Sequence, residues 1–158
     1  MNILTLAELP RLGERLRAAG KIVVWTNGCF DLVHVAHARS LREARALGDV
    51  LVVGVNSDDS VRRFKGVNRP VLPATDRAEL IASLACVDHV VVFEENTPEA
   101  CIGLLRPHIH CKGADYAPPH GKPIPEQAVV EAHGGRVEFL PLVEGISTSE
   151  LIRRIAAR

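Results

Sequence analysis

Residues 22–37, IVVWTNGCFDLVHVAH, join an apolar run to a glycine and two closely spaced histidines. Ile22–Thr26 is rich in β-branched residues with little polar alternation, which is typical of a strand buried on both faces. Gly28 permits a tight turn after that strand. His34 and His37 are three residues apart, so a helix starting here places both on one face. The stretch predicts the strand–turn–helix unit of a parallel α/β sheet.

The remainder of the chain continues this alternation of strands and helices. The further predicted strands are Val50–Asn56, His89–Phe93, Ile109–Cys111 and Arg136–Leu140. Helical patterns or start signals lie at Leu9 with Pro10 in the first turn, Ala38–Leu47, Asp76–Leu84, Thr97-Pro98-Glu99 and Leu151–Ala157. Five strands separated by helices predict an α/β fold with one doubly wound, mostly parallel five-stranded sheet. A ligand of such a sheet lies at a switch point, outside the carboxyl ends of the strands.

The composition is that of one ordinary globular domain, which we expect to span residues 1–158. Hydrophobic residues make up 47% and charged residues 24%, so a normal core can form without a disulfide or a metal. The 19 Lys and Arg residues balance 19 Asp and Glu residues, which argues against a dedicated nucleic-acid binder. Aromatic residues are only 4%, too few for a base-stacking surface. We therefore expect small-molecule partners and no nucleic acid.

Neither a membrane span nor an export signal is expected. No apolar run approaches 18 residues, and the N-terminus has no basic region followed by a long apolar stretch. The cysteines are irregularly spaced without a C-x-x-C pair, and they are Cys29, Cys86, Cys101 and Cys111. We expect reduced, mostly buried thiols in a cytoplasmic protein.

The histidine pair is the strongest candidate for chemistry. If both rings and the helix N-terminus converge on one point, they suit a phosphate whose charge rises in a transition state. The alternative is that His34 and His37 cap the helix or contact solvent. Zinc is less favoured, because helical zinc pairs usually stand four residues apart. The chain has neither a P-loop nor a G-x-G-x-x-G fingerprint, so any nucleotide is bound without them.

Further candidates lie near other glycines and strand ends. Lys65 and Arg69 are expected in a loop long enough to fold over a substrate, where two cations suit a second phosphate such as a sugar 1-phosphate. The alternative is a solvated surface loop. Lys112 and Gly113 follow a strand, so the ammonium group can approach a nucleotide. Asp31 either lines the same pocket or serves as a turn residue.

Two helix starts carry residues with two interpretations. Arg77 lies in a first helical turn, where the macrodipole disfavours a cation, which indicates either a nearby ligand anion or an ordinary ion pair. Ser147 and Thr148 open the last helix, whose N–H groups and hydroxyls can hold a phosphate. Ser147 with Glu150 is also a capping box in its own right.

In combination these motifs resemble the nucleotidyltransferase superfamily marked by H-x-G-H. T-N-G-C-F-D-L-V-H-V-A-H at 26–37 matches the motif except at Ala36, where the superfamily has Gly. Ala is the smallest replacement, so the helix start should survive with slightly less room for the nucleotide. Other matches run in order from Thr5 to Ile155, with V-G-V-N-S-D at 53–58, K-G-V-N-R-P-V at 65–71, K-G-A-D-Y at 112–116 and E-G-I-S-T-S at 144–149.

The set is most similar to the sugar-phosphate adenylyltransferases that act on D-glycero-β-D-manno-heptose 1-phosphate. The resemblance implies a Rossmann-like nucleotidyltransferase fold, AMP transfer from ATP, and ADP-heptose for lipopolysaccharide. It also implies a homodimer. Mg²⁺ is expected to bridge the phosphates and to keep most of its waters, so few or no protein ligands are expected for it. Because no kinase domain fits in this length, the chain resembles the free-standing form.

The resemblance also assigns site residues. The catalytic residues are His34, His37 and Lys65. The nucleotide-binding residues are Thr26, Asn27, Gly28, Cys29, Phe30, Asp31, His34, His37, Lys112, Gly113, Glu144, Ser147 and Thr148. The substrate-binding residues are Asp31, Asn56, Lys65, Arg69, Arg77, Asp88 and Tyr116. A nucleophilic Cys29 is not favoured, because nothing in the sequence lowers its pKa.

The choice of ATP over CTP follows from two departures from the cytidylyltransferase pattern. Leu142 replaces an arginine of R-T-E-G-I-S-T-T, and Ala85-Cys86-Val87-Asp88 replaces R-Y-V-D. Three alternatives stay open. The first is the same fold with glycerol 3-phosphate and CTP, or with a flavin or pantetheine phosphate and ATP. The others are a nonenzymatic nucleotide-binding module, and a metal site formed by His108, His110, Cys111 and His120.

Overall fold

Six parallel strands and seven α-helices form in residues 2–143 and 145–157, the parts of the chain that the computed structural model describes. The strands are β1 (Ile3–Leu4), β2 (Val23–Gly28), β3 (Val50–Asn56), β4 (His89–Phe93), β5 (Ile109–Gly113) and β6 (Arg136–Leu140). The helices are α1 (Leu9–Ala18), α2 (Val35–Ala46), α3 (Asp58–Lys65), α4 (Ala74–Ala82), α5 (Glu99–Leu105), α6 (Gln127–Ala132) and α7 (Thr148–Ala156). Short 3₁₀ helices occupy Leu6–Glu8 and Ala114–Tyr116.

The strand order β1-β4-β3-β2-β5-β6 makes the sheet doubly wound. From central β2 the chain moves outward to β3 and β4, then returns to the other side of β2 for β5 and β6. The crossovers therefore diverge between β2 and β5, whose register pairs Thr26 with Cys111. This is the switch point at which a ligand crevice is expected. The predicted α/β class and parallel sheet are confirmed.

The sheet has six strands rather than the predicted five. The additional β1 is an edge strand of two residues, which pairs Ile3 with Val90 of β4. Two residues are too few to show a period of two, so hydrophobic patterning could not reveal this strand.

Two helices were missed by the sequence analysis, and one of them corrects a prediction. Lys65 is the last residue of α3 rather than part of a loop. The helix begins after Ser57, whose hydroxyl accepts the Ser60 N–H at 3.2 Å, and it ends at Gly66 with φ of 92°. Helix α6 is the other, and its six residues are short for a periodic signal. The start of α1 at Leu9 agrees with the prediction, whereas Pro98 is the N-cap of α5 rather than its first residue.

The core consists of two layers, one on each face of the sheet. One layer contains Leu41 of α2 and Ile81 of α4. The other contains Leu9 of α1 and Ile102 of α5. Val23 and Trp25 of β2 point to one layer and Val24 to the other, so the first half of the strand is buried on both faces, as predicted. Among the described residues, no helix is long and apolar enough to cross a membrane.

Candidate active site

Two neighbouring cavities open at the carboxyl edge of the sheet. The asparagine cavity has a volume of about 470 Å³ and is lined by residues that include Asn27, Asn56, Asn96, Lys112, Tyr116 and Glu126. The histidine cavity has a volume of about 390 Å³ and is lined by residues that include His34, His37, Asp31, Arg69, Ser147 and Thr148. Cys29, Lys65 and Gly113 line both cavities, so the two meet at the switch point.

The histidine pair forms the N-terminal end of α2. His34 is the N-cap residue with extended backbone, and its N–H donates to His37 Nδ1 at 3.3 Å. His37 therefore carries its proton on Nε2 when neutral. The two rings stack with centroids 3.9 Å apart. The N-terminal end of α2 and the Nε2–H of His37 therefore lie in the same small region of the cavity.

Burial controls the charge of both histidines. Burial, reinforced by repulsion from His34, lowers the pKa of His37 to about 4. Burial also lowers the pKa of His34. At neutral pH His37 is therefore a hydrogen-bond donor without a positive charge. The neutral His37 ring can still donate its Nε2–H to an oxyanion and stabilise it, because the ring is already held in position.

Asp31 connects three segments around the histidine cavity. Its carboxylate accepts Arg69 Nε at 2.7 Å, the Val71 N–H at 2.9 Å and the Leu72 N–H at 3.1 Å. Its carbonyl oxygen accepts the Thr148 hydroxyl at 2.7 Å. Burial alone would raise the pKa of Asp31, but these hydrogen bonds hold it below its ordinary value. Asp31 both lines the cavity and anchors the following turn, so the two alternatives from the sequence coexist.

Lys65 and Arg69 contribute positive charge at different depths. Lys65 is exposed at the end of α3, at the junction of the cavities. Arg69 lies beyond the Gly66 turn, and its side chain is only 14% exposed because of the ion pair with Asp31. A phosphate near the junction would lie between the exposed ammonium group of Lys65 and the guanidinium group that Asp31 holds in place.

The asparagine cavity contains a buried charge cluster. Lys112 Nζ donates to Glu126 Oε1 at 2.6 Å, and His110 Nε2 is 3.0 Å from the same oxygen. The ammonium group also lies 4.6 Å from the ring centroid of Tyr116. Burial would raise the pKa of Glu126, but the bonds from His110 and Lys112 lower it to about 2. Glu126 is therefore ionised at neutral pH although it is 1% exposed.

Glu126 is the site residue that the sequence analysis missed. It lies in the proline-rich segment 123–126 before α6, which carries no periodic pattern. A possible signal was its place shortly after the predicted β5 and Lys112, at the edge of the sheet where ligands bind.

The remaining residues of the β2 exit stay close to the junction. Thr26, Asn27 and Gly28 line the asparagine cavity, whereas Phe30 lines the histidine cavity. The Thr26 hydroxyl donates to the Cys111 carbonyl at 3.2 Å and so joins β2 to β5. Burial raises the pKa of the Cys29 thiol, which disfavours a nucleophilic thiolate.

Helix α7 begins beside the histidine cavity. The Ser147 hydroxyl accepts the Glu150 N–H at 3.2 Å, so the predicted cap is present. Ser147 also lines the cavity, which is compatible with anion binding by neighbouring N–H groups. A Cβ at Gly113 would lie 2.7 Å from Asp115 Oδ1, so the Asp115 side chain packs closely against this glycine. Glu144, which the sequence analysis assigned to the nucleotide, lies outside the described residues.

Arg77 was predicted to bind substrate, but the structure gives it a structural position. Its side chain is fully buried, and its Nε and Nη2 donate to the carbonyls of Leu72 at 2.9 Å and Asn56 at 2.8 Å. It also binds Asp58 Oδ1 at 2.8 Å and the Cys29 carbonyl. These contacts occupy the guanidinium group. Arg77 of α4 therefore joins the segment after β2, the β3–α3 junction and the segment before its own helix.

Asp88 was also predicted to bind substrate, and the structure places it at the wrong edge of the sheet. It directly precedes β4, so it lies at the amino ends of the parallel strands. Its carboxylate accepts the Leu51 N–H at 2.8 Å and pairs with Arg45 Nε at 3.0 Å. The cavities lie at the opposite, carboxyl edge.

The proposed histidine and cysteine metal site does not assemble. His108 Nδ1 accepts the Val23 N–H at 3.0 Å, whereas His110 is bound to Glu126. Across residues 2–143 and 145–157, no group of three His, Cys, Asp or Glu side chains is arranged to hold a metal ion.

Comparison with known proteins assigns a family to this geometry. The model of the cytidylyltransferase-like family matches residues 25–154, most of the chain. The chain belongs to the cytidylyltransferase-like family. The superfamily predicted from the resemblance to H-x-G-H proteins is thereby confirmed. A solved structure described below confirms the Rossmann-like nucleotidyltransferase fold.

Among curated relatives, this cytidylyltransferase-like chain is similar to proteins named bifunctional protein HldE. It is 49% identical over 150 residues to the one from Pelobacter propionicus, covering 95% of this chain and 30% of that protein. It is 51% identical over 142 residues to the one from Syntrophotalea carbinolica, covering 90% and 28%. The chain thus spans about three tenths of the length of these relatives.

Solved structures agree on the fold. A lipopolysaccharide core biosynthesis protein from Thermoplasma volcanium has a TM-score of 0.64 and is 28% identical, covering 80% of this chain and all of that chain. Pantoate-beta-alanine ligase from Francisella tularensis has a TM-score of 0.62 at 10% identity, covering 100% of this chain and 78% of that one. The second likeness shows the fold alone.

Proposed function

We propose that this chain transfers AMP from ATP to D-glycero-β-D-manno-heptose 1-phosphate, with release of pyrophosphate and formation of ADP-heptose for the lipopolysaccharide core. The observation that carries the proposal is the His34–His37 pair at a helix N-terminus, facing a cavity that meets a second one at the switch point. The similarity to HldE proteins and to a lipopolysaccharide core biosynthesis protein supports the sugar phosphate as acceptor.

The reaction is an in-line displacement at phosphorus. An oxygen of the sugar 1-phosphate forms a bond to the α-phosphorus of ATP, while the bond to the α–β bridging oxygen breaks. Pyrophosphate leaves with that electron pair, and no covalent enzyme intermediate is needed. Such a transfer depends mainly on positioning and on stabilisation of the developing charge.

The histidine cavity suits the nucleotide phosphates. We assign His34 and His37 to the α-phosphate and the leaving group, where neutral N–H donors and the α2 N-terminus meet negative charge. We assign Ser147, Thr148 and the α7 N-terminus to the β- and γ-phosphates. Ala36, where the superfamily has Gly, lines the same cavity.

The junction of the cavities suits the attacking group. Lys65 lines both cavities, so its ammonium group can neutralise the incoming phosphate next to the α-phosphorus. Arg69 adds a second cation on the histidine side. The sugar then extends into the asparagine cavity, where amide and carboxylate groups suit its hydroxyls. This placement gives Asn27 and Lys112 to the acceptor, whereas the resemblance assigns them to the nucleotide.

Mg²⁺ fits the site as a companion of the triphosphate. The buried carboxylates that line the cavities, Asp31 and Glu126, already pair with Arg69 and Lys112. An ion held mainly by phosphate oxygens and water agrees with this arrangement. When bound, Mg²⁺ would neutralise part of the phosphate charge, and the side chains of the cavities would position the two substrates.

We also propose three features of the molecule as a whole. Residues 1–158 act as one nucleotidyltransferase domain. Two copies associate as a homodimer. The domain acts in the cytoplasm, where the thiols of Cys29, Cys86, Cys101 and Cys111, none of them in a disulfide, would stay reduced.

The test of the proposed reaction is pyrophosphate release from a matrix of substrates with Mg²⁺. The nucleotides are ATP, CTP and GTP, and the acceptors are heptose 1-phosphate, glycerol 3-phosphate and pantetheine 4′-phosphate. We expect release with ATP and heptose 1-phosphate alone. Release with another pair would overturn the substrates and keep the reaction class. If folded protein binds ATP but releases no pyrophosphate with any pair, a nonenzymatic nucleotide-binding module would be favoured.

A further inference from the structure

The asparagine cavity contains a carboxylate that AMP transfer itself does not require. Glu126 is 1% exposed, yet it lines the cavity. Lys112 and His110 both contact Oε1, which leaves Oε2 outside these two contacts. A buried carboxylate is costly unless its hydrogen-bonding capacity is used. One oxygen of Glu126 is thus held in place by Lys112 and His110, and neither of these two side chains contacts the other oxygen.

A second acceptor in the same cavity also lacks a partner. Asn27 Oδ1 is shielded from solvent and accepts no hydrogen bond from any residue that the structure describes. Asn27 lies near the end of β2, and Gly28 and Cys29 beyond it also line the asparagine cavity. Orphaned buried acceptors are rare in folded proteins and call for a partner. The missing partner must be a donor, because Asn27 Oδ1 and Glu126 Oε2 can only accept.

The cation of the cluster keeps this acceptor charged. Lys112 Nζ is 2.6 Å from Glu126 Oε1, and the Lys112 side chain is only 13% exposed. The Tyr116 ring next to the ammonium group adds an apolar wall to the cavity. An ionised carboxylate, an amide oxygen and an aromatic ring are together suited to a molecule with hydroxyl groups on a carbon skeleton.

We propose that Glu126 and Asn27 bind hydroxyl groups of the acceptor sugar and thereby select a polyhydroxylated acceptor. The inference rests on the proposed function, since it places the acceptor of that reaction in the asparagine cavity. A hydroxyl donates to Glu126 Oε2 and another donates to Asn27 Oδ1. An acceptor without hydroxyls at these points leaves Asn27 Oδ1 buried and unpaired and gives Glu126 Oε2 no donor from the ligand. A site built for hydroxyls rejects such analogues strongly.

The test compares the sugar 1-phosphate with its monodeoxy analogues in wild-type protein and in Glu126→Gln. Glutamine keeps the size and removes the charge. We expect the KM for the sugar phosphate to rise by about 10- to 100-fold, the loss of a charge-assisted hydrogen bond, with the KM for ATP unchanged within about twofold. One monodeoxy analogue, the one that lacks the hydroxyl bound by Glu126, should be a poor substrate for the wild type. Glu126→Gln should raise the KM for that analogue little further, because the hydrogen bond is already missing. That pattern would not arise from a merely structural role.

The matched control is Glu131→Gln, an exposed carboxylate on α6 that lines neither cavity. It should leave both KM values unchanged. The deoxy series on wild-type protein needs no variant, so the test stands even if Glu126→Gln folds poorly. Wild-type turnover that is indifferent to every hydroxyl, or a rise in the KM for ATP alone, would overturn the inference and spare the reaction. A wild type that is silent with all sugar 1-phosphates would overturn both.

Discussion

At the scale of single residues, hydrogen bonds determine which side chains remain available to a ligand. Arg77 and Arg69 are both cations near the cavities, yet Arg77 is fully engaged with carbonyls and Asp58. Arg69 uses Nε for Asp31 and lines the histidine cavity. The sequence could not show which of the two arginines is available to a ligand. The number of guanidinium N–H groups left free depends on the surrounding acceptors, which only the folded structure brings together.

Replacing either histidine tests the proposed stabilisation of the transition state. We expect His34→Ala or His37→Ala to lower kcat by about 10²-fold or more, as for loss of an oxyanion donor. The reason is that the donor acts on charge that develops only during the transfer. Pyrophosphate release under saturating substrates measures the effect.

His120→Ala is the matched control for these variants, because His120 is exposed and lines neither cavity. It should retain wild-type turnover. A double variant of His34 and His37 that is folded and fully active would end the assignment.

The buried position of His37 also predicts its titration. Burial lowers its pKa from 6.5 in the unfolded chain to about 4 in the folded protein. Between these values the unfolded state binds more protons, so stability falls as the solution is acidified. The contribution of neutral His37 is present above pH 6.5 and is lost as the pH falls through about 4.

The measurement is the NMR titration of the His37 ring, with an expected midpoint near 4. Urea unfolding at pH 7 and pH 5 should show a larger loss of stability for the wild type than for His37→Gln. A midpoint close to 6.5 would show that the ring is not shielded as the structure indicates.

At the scale of elements, the central strands approach so closely that side-chain volume is restricted. Trp25 of β2 is fully buried and lies across Gly54 of β3. A Cβ at position 54 would lie 2.5 Å from the indole ring. Gly54 therefore leaves room for the Trp25 side chain, the largest in the core, to pack against the central strands.

Gly54→Ala should destabilise the fold. The added methyl group must displace Trp25 or bend β3, and overpacking of this kind costs about 1–3 kcal/mol in the free energy of unfolding. Urea unfolding measures the change. Gly103→Ala in α5 is the matched control, because its Cβ would meet only a Val129 methyl group at 3.8 Å. The control should be neutral or stabilising by about 0.5–1 kcal/mol. Equal stability of the two variants would contradict the close packing of Trp25 against Gly54.

At the scale of the whole molecule, the doubly wound topology brings distant segments to one edge. The exits of β2 and β5, the end of α3 and the start of α7 all lie around the two cavities. Residues from about 26 to 149 therefore share one site in a chain whose strands are joined by crossovers. This arrangement gives the proposed transfer separate places for nucleotide and acceptor, with the reacting atoms at the junction.

Local patterns established the order of most elements, the parallel sheet and the histidine segment. They could do so because hydrophobic periodicity, glycine turns and capping residues act over a few neighbours. They also placed Lys112, Gly113, Ser147 and Thr148 at strand and helix ends near the ligand edge. Edge strand β1 and helix α6 were too short to show such patterns.

Other features depended on contacts between residues far apart in the chain. Glu126 meets Lys112 and His110, whereas Asp88 faces the amino edge of the sheet. Crossover direction and side-chain packing decide these contacts, and neither is written in local periodicity. A buried ion or an orphaned acceptor can be recognised only after its neighbours are known, because burial and hydrogen bonding are properties of the packed structure.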